Sequence, residues 1–303
     1  KLIGKSLGMV SPDGRRTAYV NSVYIPKIGN KQFVVVDGKE GEKYDEIMHI
    51  REGIRILFSP DSKSVAYVAK KEGKTLVVVD GKERRQFNEN SFIFTFLFSP
   101  DSKLIVYLVG EGMGGFAPIL VIDEKEIKKY NRYFGITFSP DSKRIAYVAK
   151  AVHKAPMDFA PTDFVVVDDV EGKRYREIMG FSNITGDFKG LTFSPDSKRV
   201  AYVADVAEHG RRSEYVAVVD GKEEGREFNK IEYPIFFSPD SKRLAYKIWS
   251  NERFFIVVDG KKEGPYYSVD SDIFFSSDSK RVAYIAAIDW KGKSVVIDGK
   301  GGK

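Results

Sequence analysis

Phe193-Ser194-Pro195-Asp196-Ser197-Lys198-Arg199-Val200-Ala201-Tyr202 is the stretch on which the reading of the fold turns. The short apolar run Leu191-Thr192-Phe193 enters Ser194-Pro195-Asp196. Proline presets a turn there and the aspartate caps its backbone, so the chain reverses into Arg199 to Ala204. On the returning strand Val200, Tyr202 and Ala204 share one face, and Ala201 and Val203 share the other. Both faces are apolar, so such a sheet has to be covered on both sides.

The phrase occurs seven times, with its aspartate at Asp13, Asp61, Asp101, Asp141, Asp196, Asp240 and Asp278. Six residues after each stands a tyrosine: Tyr19, Tyr67, Tyr107, Tyr147, Tyr202, Tyr246 and Tyr284. A second phrase, of the Val-Val-Val-Asp-Gly-Lys-Glu kind, alternates strictly with the first, at Asp37, Asp80, Asp123, Asp168, Asp220, Asp259 and Asp298. Five of its seven copies run Asp-Gly, the strongest short hairpin signal, while Asp123-Glu124 and Asp168-Asp169 leave room for a different turn. A weaker strand follows, as over Lys43 to Met48 or Arg174 to Ile178. Each repeat thus supplies four antiparallel strands in roughly 43 residues, which fits the propeller period of ~40–45. The expectation is an all-β chain, a seven-bladed β-propeller with four antiparallel strands per blade, as a single domain over residues 1–303. Bulky tyrosine on one face and small alanine on the other let neighbouring sheets nest about 10 Å apart, so the repeat tyrosines are predicted to be buried between blades. The seventh repeat is expected to lack an outer strand, with Tyr266-Tyr267-Ser268 forming that of the sixth. Lys1-Leu2-Ile3 is then predicted to close the last blade against Val295 to Ile297.

The Phe-Ser-Pro-Asp…Ala-Tyr phrase resembles the Pro-Asp repeat of TolB-like and WD-repeat-like propellers, and also the propellers attached to prolyl-oligopeptidase-type hydrolases. The likeness covers essentially the whole chain and implies a fold rather than an activity. The α/β domain of the hydrolase relatives has no counterpart among the 303 residues. Val10 stands where six repeats have phenylalanine, and Ser277 where six have proline.

Composition narrows the function classes. A chain 42% hydrophobic and 30% charged is globular. Its apolar runs, such as Phe92 to Phe98, fall far short of the ~18 residues of a spanning helix, so no membrane insertion is expected. The charge of +6 arises from 49 basic and 43 acidic residues, largely interspersed, which does not make the one-sided basic stripe of a nucleic-acid binder. With no cysteine there is no disulfide, thiolate metal site or thiol nucleophile. The start at Lys1 without methionine suggests a processed product.

Enzyme-like motifs fail on context. Gly4-Lys5-Ser6-Leu7-Gly8 has the nucleophile-elbow pattern but leads into the first propeller strand instead of a helix. Gly110 to Gly115 has a dinucleotide fingerprint yet joins two strands. His49, His153 and His209 fall in different repeats without metal-ligand spacing. The fourteen recurrent aspartates sit at turns, where a structural duty is the simpler reading than calcium. Asn183-Ile184-Thr185 is a glycosylation sequon, meaningful in a eukaryotic secretory setting. No catalytic, metal or cofactor residues are assigned.

What varies is the connection between the two phrases. From repeat tyrosine to second aspartate is 13 residues in the second and sixth repeats and 21 in the fourth. One end of the sheets is built to a template and the other is individual, and loops on a rigid scaffold carry function. The individual connections hold Tyr24, Phe116, His153, Met157, Phe159, Arg211, Arg212, Trp249 and Trp290, the candidate partner-binding residues. Their centre is expected in the longest connection, Lys150 to Asp163. The function expected is non-enzymatic: a scaffold binding a protein, peptide or glycan through the variable loops, outside the cytoplasm as implied by the TolB-like resemblance. The alternatives are a substrate-gating propeller of a hydrolase and a structural module of a surface assembly.

Overall fold

The computed structural model describes residues 8–50, 55–111, 118–151, 162–180, 190–208, 211–228, 230–290 and 292–301. They contain no helix, and their strands form seven antiparallel sheets, one to each repeat. The protein is all-β, of the seven-bladed β-propeller class. Sheets 1 to 3 lie in one compact unit, residues 1–132, and sheets 4 to 7 in a second, residues 133–303.

Sheet 6 shows the plan, with Lys230–Phe237, Leu244–Ser250, Arg253–Val258 and Lys261–Tyr266 side by side in chain order. In sheets 2, 5 and 7 the first strand is broken into two pieces, such as Glu177–Met179 and Leu191–Phe193, both paired with the second strand. The Asp-Gly hairpins have positive φ at both turn residues, 51° at Asp37 and 80° at Gly38, the type I′ geometry. Asp123-Glu124 (45° and 68°) and Asp168-Asp169 (51° and 67°) adopt the same turn without glycine.

The predicted face alternation holds. Val200, Tyr202 and Ala204 pack with Val148, Val165 and Tyr175 of the preceding repeat, while Ala201 and Val203 pack with Tyr246 and Ile248 of the next. Tyr67, Tyr107, Tyr147, Tyr202, Tyr246 and Tyr284 are 1–3% exposed, and Tyr19 is half-buried. Their hydroxyls differ: Tyr284 donates to Glu263 Oε2 at 2.8 Å and lies 2.8 Å from the Tyr266 hydroxyl, whereas that of Tyr107 has no partner.

Three expectations are corrected. The fourth strands of sheets 1 and 4 are Lys39–Glu40 and Val170–Glu171, not Lys43 to Met48 and Arg174 to Ile178. Tyr44 and Tyr175 still bridge Gln32 and Asp163 of their own sheets, but Glu46–Ile47 and Glu177–Met179 have crossed to the next repeat's second strand. Burial drives the crossing, since Ile47 and Ile178 are 0% and 1% exposed in their new sheets. The outer strand of the sixth repeat is Lys261–Tyr266, and Ser268–Val269 already pairs with Ala287 and Ala286 of the seventh. The seventh repeat also has its own outer strand, Lys300–Gly301 on Val296 and Ile297. The N-terminal strap over Lys1 to Ile3 lies outside the described residues.

Candidate functional site

The two ends of the sheets are built differently. At the templated end the phenylalanine, serines, aspartate, lysine amide and arginine of the Phe-Ser-Pro-Asp-Ser-Lys-Arg phrase have structural partners. In the fifth repeat Ser194 Oγ donates to Asp196 Oδ1 at 2.6 Å and accepts from Arg199 N at 2.9 Å, while Lys198 N donates to Asp196 Oδ1 at 3.2 Å. The amide of Asp196 donates to Ser241 Oγ of the next repeat at 2.9 Å. Arg199 donates from Nε to Asp220 Oδ2 at 2.9 Å, and from Nη1 to the Ser241 and Lys242 carbonyls at 3.2 and 3.3 Å. Its guanidinium lies 5.3 Å from the ring centre of Phe237, the next repeat's opening phenylalanine.

This joint recurs. Asp13, Asp61, Asp141 and Asp240 give their amides to Ser62, Ser102, Ser197 and Ser279 at 2.9–3.1 Å. Arg16, Arg144 and Arg243 repeat the reach to the next turn's carbonyls and the stacking on Phe58, Phe193 and Phe275. The serine hydroxyl is the largest influence lowering the pKa of the turn aspartates, to about 2 at Asp61 and in the same direction at Asp13, Asp101, Asp141, Asp196, Asp240 and Asp278. These carboxylates are occupied by their own turns, and that end has little left over for a ligand.

At the opposite end the connections are individual. In sheet 1 the hairpin of Thr17–Ile25 and Gly29–Val36 carries Tyr24 and Ile28 at its tip, 56% and 62% exposed. In sheet 5 the connection after Val200–Asp205 is organised by Asp205, itself 1% exposed. The Asp205 carboxylate accepts from Arg176, from Ala207 N at 2.9 Å and from Glu214 N at 3.3 Å. Arg176 also reaches Ser213 Oγ at 2.7 Å and the Arg211 carbonyl at 3.2 Å. Arg211 and Arg212 are exposed, as a grip on carboxylates requires, but the Arg211 side chain already meets Glu208 at 3.0 Å.

Sheets 6 and 7 bring the two tryptophans to the same end. Trp249 is not in a loop as expected: it lies half-buried on Leu244–Ser250, paired with Lys230 and Phe254. Trp290 is 79% exposed in the connection between Val282–Ala287 and Ser294–Ile297, beside Ile288 at 71%. Tyr267, 54% exposed, sits in the crossover where its amide meets the Ala287 carbonyl at 2.7 Å, and the Arg253 guanidinium lies 6.0 Å from its ring centre. Lys247 occupies the position held by Val20, Val68, Leu108, Val148, Val203 and Ile285 in the other repeats. Its ammonium donates to Glu232 Oε2 and to the Val269 carbonyl, each at 3.0 Å, so this end of the interface between the two sheets is polar. Asp270 nearby takes Ser268 Oγ at 2.8 Å and Lys293 Nζ at 3.3 Å.

Phe116, His153, Met157, Phe159 and His209, with most of the connection from Lys150 to Asp163, lie outside the described residues. His49 is exposed and accepts a hydrogen bond from Arg55 Nε at 2.9 Å. Among the described residues no group of three or more histidines or carboxylates is placed to hold a metal. No helix among them is long and apolar enough to cross a membrane. Two clefts open between neighbouring first strands, of about 420 Å³ between sheets 5 and 6 and about 250 Å³ between sheets 2 and 3. They are lined by residues such as Phe193, Pro234 and Phe237, and Phe58, Pro60 and Phe98, without the convergent polar groups that orient a small ligand. The residues sequence reasoning missed are Lys247, Tyr267 and the Arg176–Asp205 pair. Only Lys247, a charge in an otherwise apolar repeat position, left a readable signal.

No protein-family model matches the chain, and no curated protein matches it. Among solved structures it is similar to the β-propeller domain of the Trilobed protease from Pyrococcus furiosus, at 13% identity and a TM-score of 0.42, over 100% of this chain and 95% of that one. It is similar to a putative dipeptidyl aminopeptidase IV from Bacteroides ovatus, at 13% identity and a TM-score of 0.45, over 93% of this chain and 51% of that one, so it spans about half of that protein's length. It is also similar to the Cps50 (Swd1) β-propeller domain of Myceliophteria thermophila, at 10% identity and a TM-score of 0.36, over 98% and 97% of the two chains. The likeness is one of fold: the chain is similar to β-propeller domains.

Proposed function

We propose that the protein is a non-enzymatic propeller that binds a protein, peptide or glycan through the variable end of its sheets. The observation that carries this reading is the contrast between the two ends. The templated end spends its polar groups on joints between repeats, whereas the variable end presents Tyr24, Tyr267, Ile288 and Trp290 to solvent. Exposed aromatics beside polar side chains are the usual anchors of a recognition surface. Arg253 lies over the Tyr267 ring, and Asp270 and Lys293, three residues on in sequence from Tyr267 and Trp290, pair with each other.

The test is binding to peptide and glycan arrays by the wild type, a Tyr267→Ala/Trp290→Ala variant and a Lys198→Glu variant at the templated end. Exposed side chains tolerate such changes, so folding should persist. Loss of a wild-type ligand in the aromatic variant alone supports the reading. Retention in that variant, or loss only in Lys198→Glu, rejects it.

A further inference from the structure

Tyr44, Tyr175 and Tyr266 each stand edge-on to the repeat tyrosine of the next sheet. The residue after each, Asp45, Arg176 or Tyr267, gives its amide to the carbonyl of Lys70, Asp205 or Ala287 there, at 2.8, 3.1 and 2.7 Å. That position faces the next sheet's variable connection. In the second sheet Asp45 accepts the Glu72 amide at 2.8 Å and fixes a turn of only Glu72-Gly73. In the fifth, Arg176 meets a much longer connection, between Val200–Asp205 and Tyr215–Val219. The Asp205 carboxylate at its base is satisfied on both oxygens, Arg176 donating to Oδ2 and the amides of Ala207 and Glu214 to Oδ1. The same guanidinium donates to the Arg211 carbonyl and to Ser213 Oγ. Arg212 therefore stands between two pinned residues, while its own exposed side chain has no partner among the described residues.

We infer that the Arg176–Asp205 pair is a positioning device that holds Arg212 out to a carboxylate of an acidic peptide. The inference rests on the reading of the variable end as a binding surface and names the chemistry of one partner there. A two-residue turn closes the second sheet, so the longer connection has no duty in closing the fifth. A buried charge pair is costly to form, and here it serves to order a surface segment. Order set before binding lowers the entropy cost of contact. A guanidinium offers parallel N–H donors that match a carboxylate in bidentate fashion. Arg211 already shows the pairing, with Glu208 Oε2 3.0 Å from its Nε. Phosphate would match the same donors, but Glu208 and Glu214 lie on the same connection and repel a dianion more than a single negative charge.

The test is fluorescence anisotropy at low salt with labelled poly-glutamate, poly-glutamine and phosphoserine peptides of equal length. The wild type should bind poly-glutamate most tightly. Arg212→Ala should weaken that binding about tenfold or more, as loss of a charged hydrogen-bonded pair does, and Arg212→Lys should weaken it less. Arg176→Lys leaves Arg212 in place but cannot hold Asp205, Ser213 and the Arg211 carbonyl together. It should weaken the same binding and speed trypsin cleavage after Arg211 and Arg212 about tenfold. Should it fail to fold, Ser213→Gly removes one anchor without touching the buried charge and should act in the same direction. A wild type that ignores poly-glutamate, or prefers either other peptide, overturns the inference. So does a poly-glutamate affinity indifferent to Arg212 or to its anchors. None of these outcomes bears on ligands captured through Tyr267 and Trp290, so the wider reading of the variable end stands or falls on its own arrays.

Discussion

Tyr107 and Tyr284 occupy the same repeat position and are 2% and 1% exposed, but their hydroxyls have opposite circumstances. Burial pushes the Tyr107 phenol up to about 12, and its hydroxyl finds no acceptor. A buried polar group without a partner costs about 1–3 kcal/mol, whereas a buried hydrogen bond contributes about 1 kcal/mol net. Tyr107→Phe is therefore expected to leave stability unchanged or raise it by about 1 kcal/mol, since the ring stays stacked on Phe96. Tyr284→Phe should lower it by about 1–3 kcal/mol, because Glu263 and Tyr266 both lose a partner. Urea denaturation of the two variants checks this, and equal effects of the same sign would show that the ring alone matters. The tyrosine itself was readable from its spacing. The fate of its hydroxyl was not, since that depends on whether Glu263 or a mute phenylalanine stands on the neighbouring outer strand.

Strands joined by the Arg199 type of reach are held by groups that the repeat supplies in pairs. Arg199 serves Asp220 in its own sheet and two carbonyls in the next, while for Arg281 the contact shown is with Asp298 at 3.2 Å. Charged hydrogen bonds contribute about 1.5–3 kcal/mol when enclosed and less when exposed. Arg199→Ala is thus expected to cost about 1–2 kcal/mol after allowing for its partial exposure. Arg281→Ala should stay within about 0.5 kcal/mol, as surface changes do. Chemical denaturation midpoints that fall equally for both would refute the distinction. At this scale the sequence reading was sound for the hairpins, because turn chemistry and alternation are local. It misplaced the fourth strands at Lys43 to Met48, because short polar edge segments carry little pattern and the pull on Ile47 comes from another sheet.

For the chain as a whole, seven copies of one turn mean that small local effects act together. The folded-state value of the turn aspartates is lowered from 3.8, to about 2 at Asp61, by the serine hydroxyl first and the backbone amide next. Protons therefore bind the unfolded chain more readily. The stability these groups contribute is complete above about pH 4 and is lost as pH falls toward 2. Melting temperature should drop steeply across that window, and Ser59→Ala, which removes the leading cause at Asp61, should flatten the drop. A profile level between pH 4 and 2, or one indifferent to Ser59, contradicts the account. The seven sheets were legible because the Pro-Asp and tyrosine spacings state the blade period directly. The variable end was legible only as a region: the lengths of its connections set it apart, but Lys247 meeting Glu232 and Val269 depends on packing between sheets.

The joints between repeats also have a direction, the amide of Asp196 giving to Ser241 and that of Asp240 giving to Ser279. In these joints the earlier repeat is the donor and the next the acceptor, so a gene segment encoding a middle repeat such as the fifth, which accepts from Asp141 at Ser197 and gives from Asp196 to Ser241, carries both connectors. Duplicating it inserts a blade that fits its neighbours at once, whereas altering one connector alone breaks the match with an adjacent copy. Descent by duplication then holds the turn residues in step and leaves the far connections free to drift apart, each becoming the raw material for a different contact.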